Sequence, residues 1–192
     1  MIIIIEGADA LGKSTQIQLI KNRFELEGKT VHILHYSNLK FSKNKDDILK
    51  ASKNLYKSVF DLMINNEFNT PENILIFDRS YIGEVVYSPI YRNYSGDYVY
   101  NIENDFVTNY KFAAKNTKLI LFTDLAEAVI ERDKKRGDGR SFSLDIDKKR
   151  KELIAFEEAV KKSKLNKKII SLKGRSPEQI FKEDVENFIF KI

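Results

Sequence analysis

The sequence contains no cysteine, and it has only three prolines and eight glycines among 192 residues. Without cysteine the chain has no disulfides and no thiolate metal ligands, which suits a reducing compartment. The few prolines and glycines form no linker, and neither a repeat nor a low-complexity tract is present. These absences predict one domain over residues 1–192, stabilised by packing.

Long hydrophobic runs are also missing, since no apolar run approaches the ~20 residues that a membrane span needs. The run from Ile2 to Ile5 is short and has no basic leader, so it is typical of a strand rather than of a signal peptide. With 42% hydrophobic and 32% charged residues, the composition is that of a soluble protein. We therefore expect a cytoplasmic protein with no membrane partner.

The net charge of +5 is a modest excess that could attract nucleic acid, a membrane surface or small anions. Much of it lies in the lysine-rich stretch 161–168, which is typical of a solvated helix end. No recognised nucleic-acid-binding motif accompanies it. Small anionic substrates are therefore the expected partners, and nucleic acid is not.

Short apolar runs alternate with amphipathic segments along the whole chain. Alternation of this kind, with continuously apolar strands, predicts an α/β fold around a parallel sheet, whose ligands bind beyond the carboxyl ends of the strands. The predicted strands cover 2–5, 30–34, 74–77, 119–122 and 168–172. The predicted helices cover 13–27, 46–66, 83–86, 102–114, 125–136, 145–162 and 177–190.

The stretch EGADALGKST follows the first predicted strand and places Gly7, Gly12, Lys13 and Ser14 at the spacing of a phosphate-binding loop. Its main-chain amides can surround a β-phosphate, Lys13 can bridge the β- and γ-phosphates, and Ser14 can offer its hydroxyl to Mg²⁺. We therefore predict MgATP as the phosphoryl donor. The predicted phosphate-binding residues are Gly7, Ala8, Asp9, Ala10, Leu11, Gly12, Lys13, Ser14 and Thr15.

Asp78 ends the third predicted strand in the stretch LIFDRS. A carboxylate there can hold Mg²⁺ through water beside a phosphate loop. The alternative is that Asp78 caps the next helix, and both roles could hold together.

Phosphoryl transfer onto a second phosphate needs cations, because two unit charges at ~4 Å repel by about 1 kcal/mol in water and about 4 kcal/mol at a dielectric of 20. Arg79 is placed to bind the acceptor phosphate with two hydrogen bonds, and Arg92 is a second candidate for that end of the site.

Three further arginines, Arg132, Arg136 and Arg140, flank the turn 137–139. They predict a lid over approximately 134–145 whose closure brings guanidiniums onto the transferred group and excludes water. The alternative is a charged loop in solvent, with Asp133 or Glu131 as partners.

Together these stretches resemble the thymidylate kinase family of P-loop nucleoside monophosphate kinases. EGADALGKSTQ is similar to the phosphate loop of that family, FDRSYIGEVVY to its D-R-Y segment, and ERDKKRGDGRSF lies where the family carries its lid. The stretch DRSYIGEVVYSPIYR also resembles the corresponding stretch of deoxynucleotide kinases encoded by bacteriophages. Membership of that branch would place the protein in the host cytoplasm. The resemblance implies a five-stranded parallel sheet in the order 2-3-1-4-5, flanked by helices, and it leaves a homodimer open.

The resemblance further implies that Asp9 contacts the 3′-hydroxyl of the acceptor sugar and that Tyr87 belongs to the acceptor site. A turn residue bonded to its own backbone is the alternative for Asp9. The chain departs from the family pattern, so the accepted base is left unspecified. These departures are Ala10, Ser80, Gly83 and Ser88.

Three functions follow from these patterns. The first is a deoxynucleoside monophosphate kinase, with dTMP as the leading acceptor, which needs no strong base because its acceptor is already ionised. The second is a deoxynucleoside kinase, whose acceptor hydroxyl must lose a proton to a carboxylate. The chain resembles that family in its phosphate loop, but the second predicted strand ends in HILHYSN, with no acidic residue where that family carries its base. The third is a nucleotide-dependent nucleic-acid-binding or end-processing protein, with strongly salt-dependent DNA binding. His32 and His35 have no third ligand at useful spacing, so neither is expected to bind a metal.

Overall fold

The computed structural model describes residues 1–36, 44–65, 68, 70–137 and 143–190. Within these ranges, five strands form one parallel sheet in the order β2-β3-β1-β4-β5, which confirms the predicted α/β fold and its strand order. The strands are β1 (Ile2–Glu6), β2 (Thr30–His35), β3 (Asn73–Asp78), β4 (Thr117–Thr123) and β5 (Asn166–Ser171).

Helices flank the sheet. They are α1 (Lys13–Leu26), α2 (Lys45–Ile64), α3 (Tyr81–Tyr87), α4 (Val99–Asn109), α5 (Lys111–Lys115), α6 (Ala126–Arg136), α7 (Ile146–Lys162), α8 (Pro177–Ile180) and α9 (Glu186–Ile189). Among the described residues, no helix is long and apolar enough to cross a membrane.

Three helical segments differ from the sequence prediction. The predicted helix 102–114 is two helices, because the backbone at Tyr110 leaves the helical region (φ −124°, ψ 55°). A π-helical turn, Ser88–Arg92, extends α3, and a second one, Phe181–Val185, lies between α8 and α9. The apolar periodicity of a sequence marks a buried helical face but does not reveal a change from α- to π-helical hydrogen bonding.

The run of isoleucines forms the centre of the core. Strand β1 lies between β3 and β4, and residues 2–5 are at most 1% exposed. Helices cover both faces of the sheet, so a central strand must be apolar on both sides. The edge strands β2 and β5 are less buried and carry more polar residues.

Strand pairing brings three chain segments to one edge of the sheet. Asp78, at the end of β3, is in register with Ile5 of β1 and with His35 of β2. Because the strands are parallel, the loop after β1 and the turn after β3 leave the sheet side by side.

A close approach at Gly96 holds the segment after the π-helical turn against α3. A Cβ atom at this position would lie 2.4 Å from the Glu84 carbonyl oxygen and 2.7 Å from the Val85 Cα atom. Both neighbours are backbone atoms, which cannot move aside as a flexible side chain could. The contact keeps Tyr94 and Tyr98 beside the side chain of Glu84.

We expect Gly96→Ala to destabilise the protein by about 1–3 kcal/mol, because the added methyl group overlaps this backbone. Gly83→Ala is the control, since its Cβ would make only ordinary contacts, at 3.7 Å to the Tyr87 ring and 3.9 Å to Glu6 Oε2. Alanine inside a helix gains up to about 1 kcal/mol over glycine. Urea unfolding followed by circular dichroism measures both variants, and equal midpoints for the two would contradict this assignment.

Candidate active site

The loop between β1 and α1 has the backbone conformation of an anion-binding loop. Gly7, Ala10 and Gly12 all have positive φ (136°, 59° and 67°), and alternating backbone handedness of this kind lets neighbouring amides converge on one anion. A Cβ at Gly7 would lie 2.5 Å from the Phe122 carbonyl oxygen, so only glycine fits there. The loop therefore rests directly on the end of β4.

Lys13 is the first residue of α1 and is only 7% exposed. Its ammonium donates a hydrogen bond to the Ala8 carbonyl oxygen at 2.6 Å, which folds the side chain back over the loop. Burial, followed by the positive charge of Arg79, lowers the pKa of Lys13 to about 7. A phosphate bound at this loop would restore the charge of the lysine.

A pocket of about 450 Å³ opens in front of the loop. It brings together most of the residues that the sequence singled out, namely Asp9, Ala10, Leu11, Gly12, Lys13, Ser14, Thr15, Asp78, Arg79, Tyr87, Arg92, Arg132 and Arg136. Gly7 and Ala8, at the start of the loop, are buried and do not line the pocket. Arg140 and the predicted lid positions 138–142 lie outside the described residues.

Arg79 spans the pocket from the end of β3. Its guanidinium forms an ion pair with the carboxylate of Asp9 in the loop, and it donates a longer hydrogen bond to the Tyr87 hydroxyl at 3.5 Å. Arg79 thus contacts two of the other three residues predicted for the acceptor side, Asp9 and Tyr87. The carboxylate of Asp9 occupies one side of the guanidinium that we predict to bind the acceptor phosphate.

Arg92 has a different setting at the end of the π-helical turn. It donates to the carboxylate of Glu84 at 2.8 Å, and this carboxylate is fully buried and also accepts from the hydroxyls of Tyr94 (2.7 Å) and Tyr98 (3.0 Å). The charge of Arg92 is therefore compensated by a fixed partner. The guanidinium lines the pocket as a hydrogen-bond donor more than as an added positive charge.

Arg132 and Arg136, two of the three arginines that flank the predicted lid turn, lie on α6 and line the pocket. Arg132 forms an ion pair with Asp124 (2.6 Å), and Arg136 forms one with Asp133 (2.8 Å). The ion pair between Arg136 and Asp133 is the one expected for a charged loop in solvent. However, Arg132 and Arg136 line the same pocket as Lys13. The arginines are thus held close to the loop by carboxylates on and just before their own helix.

Asp78 lies at the pocket with one carboxylate oxygen engaged and the other not. Its Oδ2 atom is 2.8 Å from His35 Nδ1, and its buried Oδ1 atom has no hydrogen-bond partner among the described residues. Asp78 does not cap α3, because that helix begins at Tyr81 with Ser80 as its N-cap residue. The helix-capping alternative for Asp78 is therefore wrong.

The oxygen ligands at this point fit Mg²⁺ held together with a nucleotide. Ser14 is exposed at the start of α1, and Asp78, whose buried Oδ1 atom has no hydrogen-bond partner among the described residues, lines the same pocket. Within the described ranges, no group of three or more histidine or acidic side chains could hold a metal alone. Magnesium usually takes one or two protein oxygens and fills its octahedron with phosphates and water.

Sequence reasoning gave no role in the site to three residues in or behind this pocket: Glu6, His35 and Glu84. Tyr36 and Tyr56 also line the pocket, and in the sequence they are two of many aromatic residues that could stack a base. A signal existed for His35, because the end of a parallel strand next to β3 must lie near Asp78. Burial raises the pKa of Tyr56, so its hydroxyl stays protonated in the pocket wall. For Glu84, the helical position gave no hint that Arg92, Tyr94 and Tyr98 would converge on it.

Two solved structures are similar to this chain over nearly its whole length. One is the YorR protein from Bacillus subtilis, crystallised in complex with phosphorylated GDP, at 17% identity and a TM-score of 0.66, covering 96% of this chain and 94% of that chain. The other is thymidylate kinase from Candida albicans, at 17% identity and a TM-score of 0.58, covering 96% and 89%. The likeness shows that the chain has the fold of thymidylate kinase. No protein-family model matches the sequence, and neither does any curated protein.

We expect the affinity for ATP to fall as the pH rises from 7 to 9 in metal-free buffer. With its pKa lowered to about 7, Lys13 is mostly neutral above that pH in the free protein, and it must take up a proton when phosphate binds. Linkage then limits the loss of affinity to about tenfold per pH unit. Isothermal titration calorimetry at several pH values measures the slope.

Lys13→Arg is the matched control. A guanidinium remains charged over this range, so the affinity of this variant should show only the pH dependence of ATP itself. A wild-type profile that parallels the Lys13→Arg profile would show that Lys13 is already charged in the free protein.

Proposed function

We propose that the protein is a deoxynucleoside monophosphate kinase that transfers the γ-phosphoryl group of MgATP to an acceptor, with dTMP as the leading candidate. One observation carries the proposal. A phosphate loop with its lysine and a second cationic group, Arg79 with Asp9 and Tyr87, line the same pocket. A hydrolase of ATP has no acceptor phosphate to bind, whereas a nucleotide kinase needs cationic groups for two phosphorylated substrates.

On the donor side, the amides of the loop and Lys13 would hold the β- and γ-phosphates. Lys13 would exchange the Ala8 carbonyl oxygen for a phosphate oxygen. Mg²⁺, when bound through Ser14 and, by way of water, through Asp78, supplies charge neutralisation between the phosphates. The exposure of Ser14 and the unpartnered oxygen of Asp78 support this arrangement.

On the acceptor side, Arg79 would leave Asp9 and bind the acceptor phosphate. Released from the ion pair, Asp9 would accept a hydrogen bond from the 3′-hydroxyl of a deoxyribose. Tyr87, whose hydroxyl is held beside Arg79, would border the sugar. The acceptor phosphate thus takes the place of the Asp9 carboxylate, so the guanidinium of Arg79 has an anionic partner both before and after the acceptor binds.

Arg132, Arg136 and Arg140 would neutralise the group in transfer. The first two line the pocket from α6 while paired with Asp124 and Asp133. Near the transition state, the charge that develops on the transferred group would compete with these carboxylates for the guanidiniums. Contacts made only at that point accelerate the reaction.

The nucleoside kinase remains the second candidate, since His35 lines the pocket and is paired with Asp78. A histidine oriented by a carboxylate can accept a proton from a hydroxyl, the step for which no carboxylate base was found in strand β2. The solved relatives support nucleotides as ligands, since one is a thymidylate kinase and the other holds phosphorylated GDP. A homodimer and a cytoplasmic location stay predictions.

The deciding experiment is an assay of ADP release with ATP and Mg²⁺ across the four deoxynucleoside monophosphates and their nucleosides. We expect turnover with at least one monophosphate, dTMP first, and none with nucleosides. Turnover confined to nucleosides would favour the second candidate. ADP release that is independent of any acceptor, together with steeply salt-dependent DNA binding, would favour the third.

Two substitutions separate the two sides of the pocket. Lys13→Ala should abolish turnover while leaving the fold intact. Arg79→Ala should raise the KM of the acceptor roughly 10- to 150-fold, the equivalent of about 1.5–3 kcal/mol for a charged hydrogen bond, with little change in the KM of ATP. Steady-state kinetics with either substrate varied gives both constants.

Arg150→Ala is the control for a general loss of positive charge. Arg150 lies on the surface in ion pairs with Glu127 and Asp147 and does not line the pocket. Its kinetics should match the wild type. An unchanged acceptor KM in Arg79→Ala would remove Arg79 from the acceptor site.

A further inference from the structure

Glu6 is a buried acid to which the reaction proposed above gives no role. It is the last residue of β1, is 0% exposed and is not among the described residues that line the pocket. Its Oε1 atom accepts a hydrogen bond from the Ser80 backbone N–H at 2.7 Å. A buried carboxylate is costly to keep in a hydrophobic core, so its presence calls for a physical reason.

The physical reason is the backbone of Arg79, the residue just before Ser80. Its φ of 69° is in the left-handed region, which is unfavourable for a residue with a Cβ atom and persists only where the surroundings enforce it. The Arg79 N–H donates to the Ile5 carbonyl oxygen at 2.9 Å, and the next N–H, that of Ser80, donates to Glu6. Consecutive residues of β1 thus fix consecutive amides of the turn after β3.

The backbone conformation of this turn sets the direction of the Arg79 side chain. With the left-handed backbone, the side chain of Arg79 reaches Asp9 and the Tyr87 hydroxyl across the pocket. A return of φ to negative values would point the side chain elsewhere, because the direction of Cβ follows the backbone angles.

The electrostatics agree with this geometry. Burial raises the pKa of Glu6 to about 7, while the Ser80 amide and the charges of Arg79 and Lys13 oppose the rise. Whether ionised or protonated, the carboxyl group retains an oxygen that accepts the Ser80 N–H. The hydrogen bond, rather than the negative charge, is thus the feature that the turn requires.

We propose that Glu6 is the positioning residue of Arg79: its carboxyl oxygen holds the Ser80 amide and thereby fixes the turn that delivers the guanidinium to the acceptor phosphate. The effect on catalysis rests on the proposed function, whereas the effect on the turn does not. Glu6 touches neither nucleotide and acts only through Arg79.

Two conservative substitutions at Glu6 separate the length of its side chain from its negative charge. Glu6→Gln removes the charge but keeps an oxygen at the same distance, so its acceptor KM should stay within about threefold of wild type. Glu6→Asp keeps the charge but is one methylene shorter and cannot reach the Ser80 amide. Its acceptor KM should rise at least about tenfold, with the KM of ATP nearly unchanged.

The coupling to Arg79 gives a second readout. If Glu6 acts through Arg79, Glu6→Asp should add almost nothing to the acceptor KM in an Arg79→Ala background. Independent effects that multiply would overturn the proposal. So would the reverse order of the single variants, with Glu6→Gln impaired and Glu6→Asp close to wild type, or an equal rise of both KM values in Glu6→Asp.

Crystal structures of the two variants test the turn without any activity. Glu6→Gln should keep the Arg79 guanidinium between Asp9 and Tyr87, and Glu6→Asp should lose at least one of these contacts. An unchanged Arg79 in Glu6→Asp refutes the positioning role. An inactive wild type whose variants follow this structural pattern would refute the proposed function alone.

Discussion

The pairing of β1 with β3 is the constraint on which the site depends. Its register sets Ile5 beside Asp78, so the phosphate loop after β1 and the turn after β3 leave the sheet as neighbours. Lys13 on one side and Arg79 on the other then reach into one pocket without any long flexible connection. Because central strands are the most stable part of such a sheet, the spacing of the two cationic groups is fixed by the core.

Paired charge is the second property of the pocket. Each described arginine that lines it has a carboxylate partner: Arg79 with Asp9, Arg92 with Glu84, Arg132 with Asp124 and Arg136 with Asp133. Such pairing keeps the guanidiniums in place without a ligand, and it limits the net positive charge of the pocket. The ion pairs differ in how firmly the carboxylate is held. Glu84 is fully buried and accepts hydrogen bonds from two tyrosines, whereas Asp9 lies on the phosphate loop and lines the pocket.

The sequence was sufficient where local chemistry decides the structure. The isoleucine run predicted the central strand, and the glycine spacing before Lys13 predicted the loop between β1 and α1, because both patterns act over a few neighbouring residues. It was insufficient where distant residues converge. Glu6 meets Ser80 across 74 positions and His35 meets Asp78 across 43, and contacts at that separation leave no periodic signal in one sequence. The π-helical turn that carries Arg92 is local, but apolar periodicity does not distinguish α-helical from π-helical hydrogen bonding.

The proposed function requires that one pocket hold two phosphorylated ligands end to end. The most direct measurement is calorimetric titration with a bisubstrate compound in which adenosine and thymidine are joined by five phosphates, compared with ATP and dTMP alone. Occupation of both sides should make the linked compound roughly 10²- to 10⁴-fold tighter than the better single ligand. Affinity no greater than that of ATP alone would contradict the account, because it would leave the side lined by Arg79, Asp9 and Tyr87 without a nucleotide.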